Sequence, residues 1–296
     1  MHDVIRGLWV AVATPLDAAG AVDREALVRH CQGLLAAGCD GLVAFGITGE
    51  GPSFAIQERL AAVEALLQAG IPSGRIALGT GGPAIPETVR LTRDALALGL
   101  MHVLILPPYF FRDVAEAGLE DAFVAIIDGV ASDRLRATLH HIPEVAGVGV
   151  PAGVLGRLRA RYGRLVAGVL DSSGDIASFR AFRQAAPACG CLVGAEVDIP
   201  RARALGGTGT ISALGNVVPG LVRAMFDNPA KMDATLRKAC ILLDGQPFIP
   251  ALKSVLAARS GDGAWRAVRP PLRPADAAAG ARTAAALTAI EARRAA

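Results

Sequence analysis

The chain has 296 residues, 52% hydrophobic and 19% charged, enough apolar surface for a sizeable core, which excludes a disordered chain. A net charge of +3, with no basic block interleaved with aromatics, argues against nucleic acid as a partner. The five cysteines (Cys31, Cys39, Cys189, Cys191, Cys240) are odd in number and lack zinc spacing; they read as reduced thiols of a cytoplasmic protein, with a Cys189–Cys191 metal site or bridge as the minor alternative.

The first apolar run, Leu8–Ala13, stops at Thr14-Pro15. It is too short for a signal-peptide core and lacks a cationic start, so it reads as a strand, Leu8–Thr14. Further strands are expected at Gly41–Phe45, Arg75–Gly79, His102–Leu106, Arg136–His140, Leu165–Leu170, Cys191–Gly194 and Gly209–Ser212. These are continuous apolar runs, as in strands buried on both faces. Helices are expected between them at Asp23–Ala37, Ile56–Ala69, Pro86–Leu98, Ala115–Gly129, Pro151–Arg161, Ile176–Ala186 and Pro200–Leu205. Asp23, Ser53 and Pro86 supply helix-start chemistry, and Gly38, Gly70 and Gly99 supply helix ends. The longest apolar stretch, Ala95–Phe111, is broken by His102 and Pro107-Pro108. It reads as a helix end plus a buried strand rather than a membrane span.

Eight strands alternating with helices predict an α/β fold, a (β/α)8 TIM barrel over residues 1–228. A doubly wound sheet needs fewer strands and a glycine-rich fingerprint after the first, where this chain has Thr14-Pro15. Residues 229–296 read as a C-terminal helical extension, with helices at Ala230–Leu243, Ile249–Ala258 and Ala275–Ala295.

Function in such a barrel gathers at the C-terminal strand ends. After strand two, Gly46-Ile47-Thr48-Gly49-Glu50 is either a pocket loop that offers backbone N–H groups to a carboxylate or a plain tight turn. After strand four come Tyr109, Phe110 and Phe111, the phenylalanines reading as loop packing or a subunit contact. Strand five ends in His140-His141, of which alternation lets only one face inward. Gly194, Glu196 and Asp198 follow strand seven. Gly206-Gly207-Thr208-Gly209 precedes strand eight, at the wrong end of that strand for a ligand, and reads as structural.

Taken together, Thr14-Pro15, Gly46-x-Thr48-Gly49-Glu50, Pro108-Tyr109, Ile142-Pro143, Gly168-Val169-x-Asp171-Ser172-Ser173-Gly174-Asp175, Gly206-Gly207-x-Gly209-x-Ile211-Ser212 and Arg269-Pro270-Pro271-Leu272 resemble the dihydrodipicolinate synthase / N-acetylneuraminate lyase family. The motifs occur in order over nearly the whole chain. The resemblance implies aldol chemistry on 2-keto acids, in which a strand-six lysine forms an imine that serves as an electron sink. It implies no cofactor and no resident metal. It also implies a homo-oligomer, commonly a tetramer.

Carried across residue by residue, the resemblance puts Leu170 at the Schiff-base lysine position and His140 at that of a proton-relaying tyrosine. Ile47 replaces the first hydroxyl of the strand-two pair, although Thr48 remains. Phe110 stands for an interface tyrosine and Val145 for a synthase-branch arginine. The three lysines, Lys231, Lys238 and Lys253, all fall in the helical extension, and Lys253 matches a structural family position.

The expected function is therefore a pocket for a small carboxylate, a 2-keto or sugar acid, without imine chemistry. Its substrate-binding residues would be Gly46, Ile47, Thr48, Gly49, Tyr109, Asp171, Gly194, Glu196 and Ile211. The alternative is a lyase or hydro-lyase that uses His140 as acid or base, helped by Glu196, Asp171 or Asp198 and a divalent metal. Neither reading calls for a nucleic-acid or membrane partner.

Overall fold

A computed structural model describes residues 3–243 and 246–295, with side chains for all but 229–233, 294 and 295. Eight strands form its centre: β1 (Gly7–Ala11), β2 (Gly41–Ala44), β3 (Ile76–Gly79), β4 (His102–Ile105), β5 (Arg136–His141), β6 (Val166–Asp171), β7 (Gly190–Val193) and β8 (Gly209–Ser212). They pair in parallel in sequence order and close with β8 against β1. The expected (β/α)8 barrel is the observed fold. Helices α1 (Arg24–Ala36), α2 (Ile56–Gln68), α3 (Ile85–Ala97), α4 (Glu116–Val130), the short α5 (Pro143–Ala146), α6 (Ala152–Tyr162), α7 (Ile176–Ala185), α8 (Ile199–Ala204) and α9 (Pro219–Asp227) surround it. The chain continues through α10 (Pro229–Ile241), α11 (Phe248–Ser260) and α12 (Ala277–Ala295).

Two apolar cores follow from strand alternation. The larger lies between strands and helices, with Leu8, Val10, Leu42, Leu78 and Phe179 among its members. The smaller fills the barrel and includes Trp9, Val43, Leu104, Leu170, Leu192 and Ile211. Burying such a side chain stabilises the fold by roughly 1.5–3 kcal/mol. Trp9 takes up so much of the barrel bottom that Gly41 beside it has no room for a side chain, since a Cβ there would sit 2.4 Å from the indole.

Local chemistry explains the helix limits. The Asp23 carboxylate accepts from the Ala26 N–H at 2.9 Å and starts α1. Gly38, Gly70 and Gly99 take left-handed φ angles just beyond α1, α2 and α3. Ser53 does not cap α2: Ala55 holds that place, and the Glu58 carboxylate accepts from its N–H at 2.9 Å. Helix α9 follows the eighth strand, where the sequence pattern sets no helix bounds. In the structure Pro219 sits in the first turn, where its missing N–H costs nothing, and Leu221, Val222, Met225 and Phe226 are buried.

The glycine run before β8 is structural, with Gly207 packed so closely that a Cβ would lie 2.8 Å from the Ala202 carbonyl oxygen. All five cysteines are free thiols, and burial pushes Cys191 up to about 12. No helix among the described residues is long and apolar enough to cross a membrane.

Candidate functional site

The barrel mouth holds a cavity of about 460 Å³. Strand β6 runs one residue further than expected, ending at Asp171 rather than Leu170. Its register against β5 pairs His140 with Leu170 and His141 with Asp171. Alternation then turns His140 and Leu170 into the barrel and His141 and Asp171 away from it. His140 and Leu170 both line the cavity.

Gly46, Ile47 and Thr48 line the cavity from the loop after β2. That loop begins at Phe45 and ends at Glu50, and both are left-handed, with φ of 53° and 57°. Such strain in non-glycine residues concentrates at functional sites. The Thr14 hydroxyl donates to the Gly49 carbonyl at 2.8 Å and fixes the loop to the end of β1. The amides of Glu50 and Gly51 close turns onto Ile47 and Gly46. The amides of Ile47 and Thr48 have no acceptor among the described residues. Adjacent unpaired N–H groups of this kind suit an anion.

Gly194, Glu196 and Ile211, also expected, line the cavity on the β7 and β8 side. Glu196 Oε1 accepts from the Ser212 hydroxyl at 2.8 Å and the Leu214 N–H at 2.9 Å. Three expected residues lie elsewhere. Gly49 does not line the cavity; a Cβ on it would press on the Val12 carbonyl oxygen at 2.7 Å. Tyr109 lines a separate cavity near Arg59. Asp171 faces out of the barrel, its Oδ1 accepting from the Ser173 N–H and hydroxyl at 3.0 and 2.7 Å. Burial raises the Asp171 pKa and lowers that of His141. The His141 Nδ1 accepts from the Val150 N–H at 2.9 Å. Asp198 pairs with Arg201 at 3.3 Å.

Sequence reasoning missed a large part of the wall. Ser172 lines the cavity and its hydroxyl lies 3.0 Å from His140 Nε2. Its only signal was its place in the β6 turn. Pro247, Phe248, Ile249 and Leu272 close the rim from the C-terminal segment; no local pattern marks the first three, and the Arg269–Leu272 motif did not itself place Leu272 at the cavity.

No lysine or arginine lines the cavity among the described residues. Lys253 is fully buried away from it, 2.7 Å from Glu50 Oε1 and 2.8 Å from the Thr14 carbonyl oxygen. Lys238 is exposed on α10, and the Lys231 side chain lies outside the described residues. No group of three or more His, Cys, Asp or Glu side chains among the described residues is placed to hold a metal.

Burial, with a smaller push from His141, lowers His140 to about 3. The imidazole is neutral at ordinary pH and serves as a hydrogen-bonding group. In the unfolded chain it takes up a proton below about pH 6.5. Between the two values the unfolded state binds more protons, so the His140 contribution is unfavourable to folding and grows as pH falls. The slope approaches about 1.4 kcal/mol per pH unit. His30, also lowered by burial, acts in the same sense, and Asp171 in the opposite one. Thermal unfolding at pH 7 and pH 5 should therefore show a smaller acid loss for His140→Gln than for the parent. Equal losses would mean that His140 is solvated in the folded state.

A family model described as the Dihydrodipicolinate synthetase family matches residues 4–290. An uncharacterized DapA-like lyase from Chloroflexus aurantiacus is 34% identical over 276 residues, covering 91% of each chain. Dihydrodipicolinate synthase from Agrobacterium tumefaciens has a crystal structure that matches with a TM-score of 0.91 at 31% identity, covering 97% of this chain and 99% of that one. YagE, a prophage protein of the dihydrodipicolinic acid synthase family from E. coli K12 solved in complex with pyruvate, matches with a TM-score of 0.86 at 25% identity, covering 97% and 99%. With sequence and fold agreeing from one end of the barrel through the C-terminal helices, the chain belongs to the dihydrodipicolinate synthetase family.

Proposed function

We propose that this protein binds a small carboxylate, a 2-keto or sugar acid, in the barrel mouth and forms no imine with it. One observation carries the reading: the unpaired Ile47 and Thr48 amides border the same cavity as Leu170, an aliphatic residue at the β6 position where the resemblance expects a lysine. The amides and the Thr48 hydroxyl receive the carboxylate, as hydrogen bonds to a charged acceptor contribute more than neutral ones. Leu170 has no lone pair, so a keto carbon above it meets hydrocarbon. His140 and Ser172 then act as a neutral hydrogen-bonding pair at the keto oxygen.

A second reading, acid–base chemistry by His140, draws support from the Nε2–Oγ contact of 3.0 Å. A base held near pKa 3 is poorly matched to proton abstraction at neutral pH. Binding is therefore the better-supported role.

A homo-oligomer, with four subunits as in the resemblance, accompanies this function. Its support is the edge-on Phe110–Phe111 pair, 78% and 73% exposed at the tip of the loop after β4. Such apolar exposure marks contact surfaces. Calorimetric titration with pyruvate tests the binding role, and light scattering of the same sample tests the assembly. Saturable pyruvate binding and a particle larger than one chain are expected. No heat or thermal shift with any 2-keto or sugar acid would overturn the binding role, and a monomer would overturn the assembly.

A further inference from the structure

We infer that the ligand of this cavity is a 2-oxo monocarboxylic acid with an apolar side chain, branched aliphatic or phenyl, rather than a polyhydroxylated sugar acid or a dicarboxylate. The inference rests on the carboxylate-binding reading above and adds the identity of the rest of the ligand.

Away from the Ile47–Thr48 amides, the floor is Leu170, Ile211, Leu104 and Val43. These belong to the buried apolar cluster inside the barrel. The rim adds Phe248, Ile249 and Leu272, contributed by a segment some two hundred residues away in sequence from the β2 loop, together with Val145. Phe248 and Val145 remain partly exposed at the mouth, 40% and 60%, so apolar surface stands open where a ligand enters. At about 460 Å³ the cavity lies in the range of roughly 300–1,000 Å³ that takes ligands well beyond pyruvate in size. A pyruvate-sized acid leaves most of this apolar wall uncovered.

Polar capacity is correspondingly small. The side chains able to hydrogen-bond are Thr48, His140, Ser172 and Glu196. His140 and Ser172 already face each other, and Glu196 Oε1 already serves Ser212 and Leu214. A sugar acid brings a row of hydroxyls, each of which loses water on entry and needs a replacement partner. The side chains of this wall cannot supply that row.

Charge points the same way. Glu196 carries the only formal charge among the described residues that line the cavity. Arg237 shares a neighbouring groove with Glu196 but does not line this cavity. One carboxylate is accommodated by amides at the β2 side, three strands round the barrel from β7, after which Glu196 follows. A second carboxylate, or a phosphate, meets Glu196 and no side-chain cation on the cavity wall itself; Arg59 lies in a small adjoining cavity, where it holds the Phe54 and Gly79 carbonyls.

The test is a calorimetric series on the full chain with pyruvate, 4-methyl-2-oxopentanoate, phenylpyruvate, 2-oxoglutarate and 2-keto-3-deoxygluconate. The amide of 4-methyl-2-oxopentanoic acid serves as a control. Each buried methylene strengthens binding about fourfold, so the branched acid should bind at least tenfold tighter than pyruvate. Both 2-oxoglutarate and the sugar acid should bind no better than pyruvate. Phe248→Ser, at a half-exposed position with little folding cost, should reduce the branched acid's advantage over pyruvate severalfold. Sugar acid or 2-oxoglutarate binding tighter than the branched acid would overturn the inference and leave the carboxylate reading standing. Equal binding of the branched acid and its amide would overturn the carboxylate reading itself.

Discussion

Lys253→Met should lower the melting temperature by on the order of 10 °C. Both partners of the Lys253–Glu50 pair have no solvent exposure. Removing one leaves the other charge buried and uncompensated, which costs about 3–5 kcal/mol. For a chain of this size each kcal/mol shifts the melting temperature by roughly 2–4 °C. The pair is also a junction. Lys253 on α11 donates to the Thr14 carbonyl at the end of β1, and Glu50 Oε2 accepts from the Arg269 N–H at 2.9 Å. The Arg269 guanidinium stacks over Phe54, 4.1 Å from the ring centre, and donates to the Ser53 and Gly20 carbonyls. The pair thus anchors the loop after β2, and with it the Ile47–Thr48 amides, to the C-terminal helices. The double variant Glu50→Gln with Lys253→Met should lose less than the sum of the single changes, because no unpaired charge remains. Additive losses in scanning calorimetry would show that the two side chains act independently.

Leu170→Lys should make the cavity imine-forming. Leu170 stands at the inward-facing end of β6 beside His140, and its side chain borders the cavity. A lysine amine there reaches further into the cavity than the leucine it replaces. Its apolar surroundings, Leu104, Leu192 and Ile211 among them, disfavour the ammonium form and leave more free amine at neutral pH. A free amine is the form that condenses with a keto group. Borohydride reduction with pyruvate should then trap an adduct on the peptide containing residue 170. A folded variant that traps nothing there would mean that this position does not face the bound acid.

The barrel was legible because most strands are short runs of mainly apolar residues bounded by turn residues, and helical periodicity separates one strand from the next. Strand ends were harder. Asp171 reads as the first loop residue because it is charged, yet its ladder with Val193 continues the strand. That single residue fixes which face each neighbour takes, and so moves Asp171 out of the cavity while keeping Leu170 in. Parts of the site were likewise legible: Ile47 and Ile211 lie in recognised motifs, whereas alternation left His140 and His141 open and the resemblance, not position, singled out His140. Phe248 and Ile249 were not legible, because they reach the mouth through the packing of α11 and nothing in their local sequence records that contact; Leu272 stood in a recognised motif, but only the packing of the Arg269 segment brings it to the mouth. Ser172 stood in a recognised motif, but only the strand register shows that its hydroxyl meets His140.

The central claim is that the chain keeps the barrel-mouth cavity and has lost imine chemistry. Borohydride treatment of the parent protein with saturating pyruvate, followed by intact mass and peptide mapping, tests it most directly. The chain carries three lysines, so any adduct is readily assigned. The account predicts an unmodified protein. A reduced pyruvate adduct on any of the three lysines, formed with pyruvate and absent without it, would contradict it.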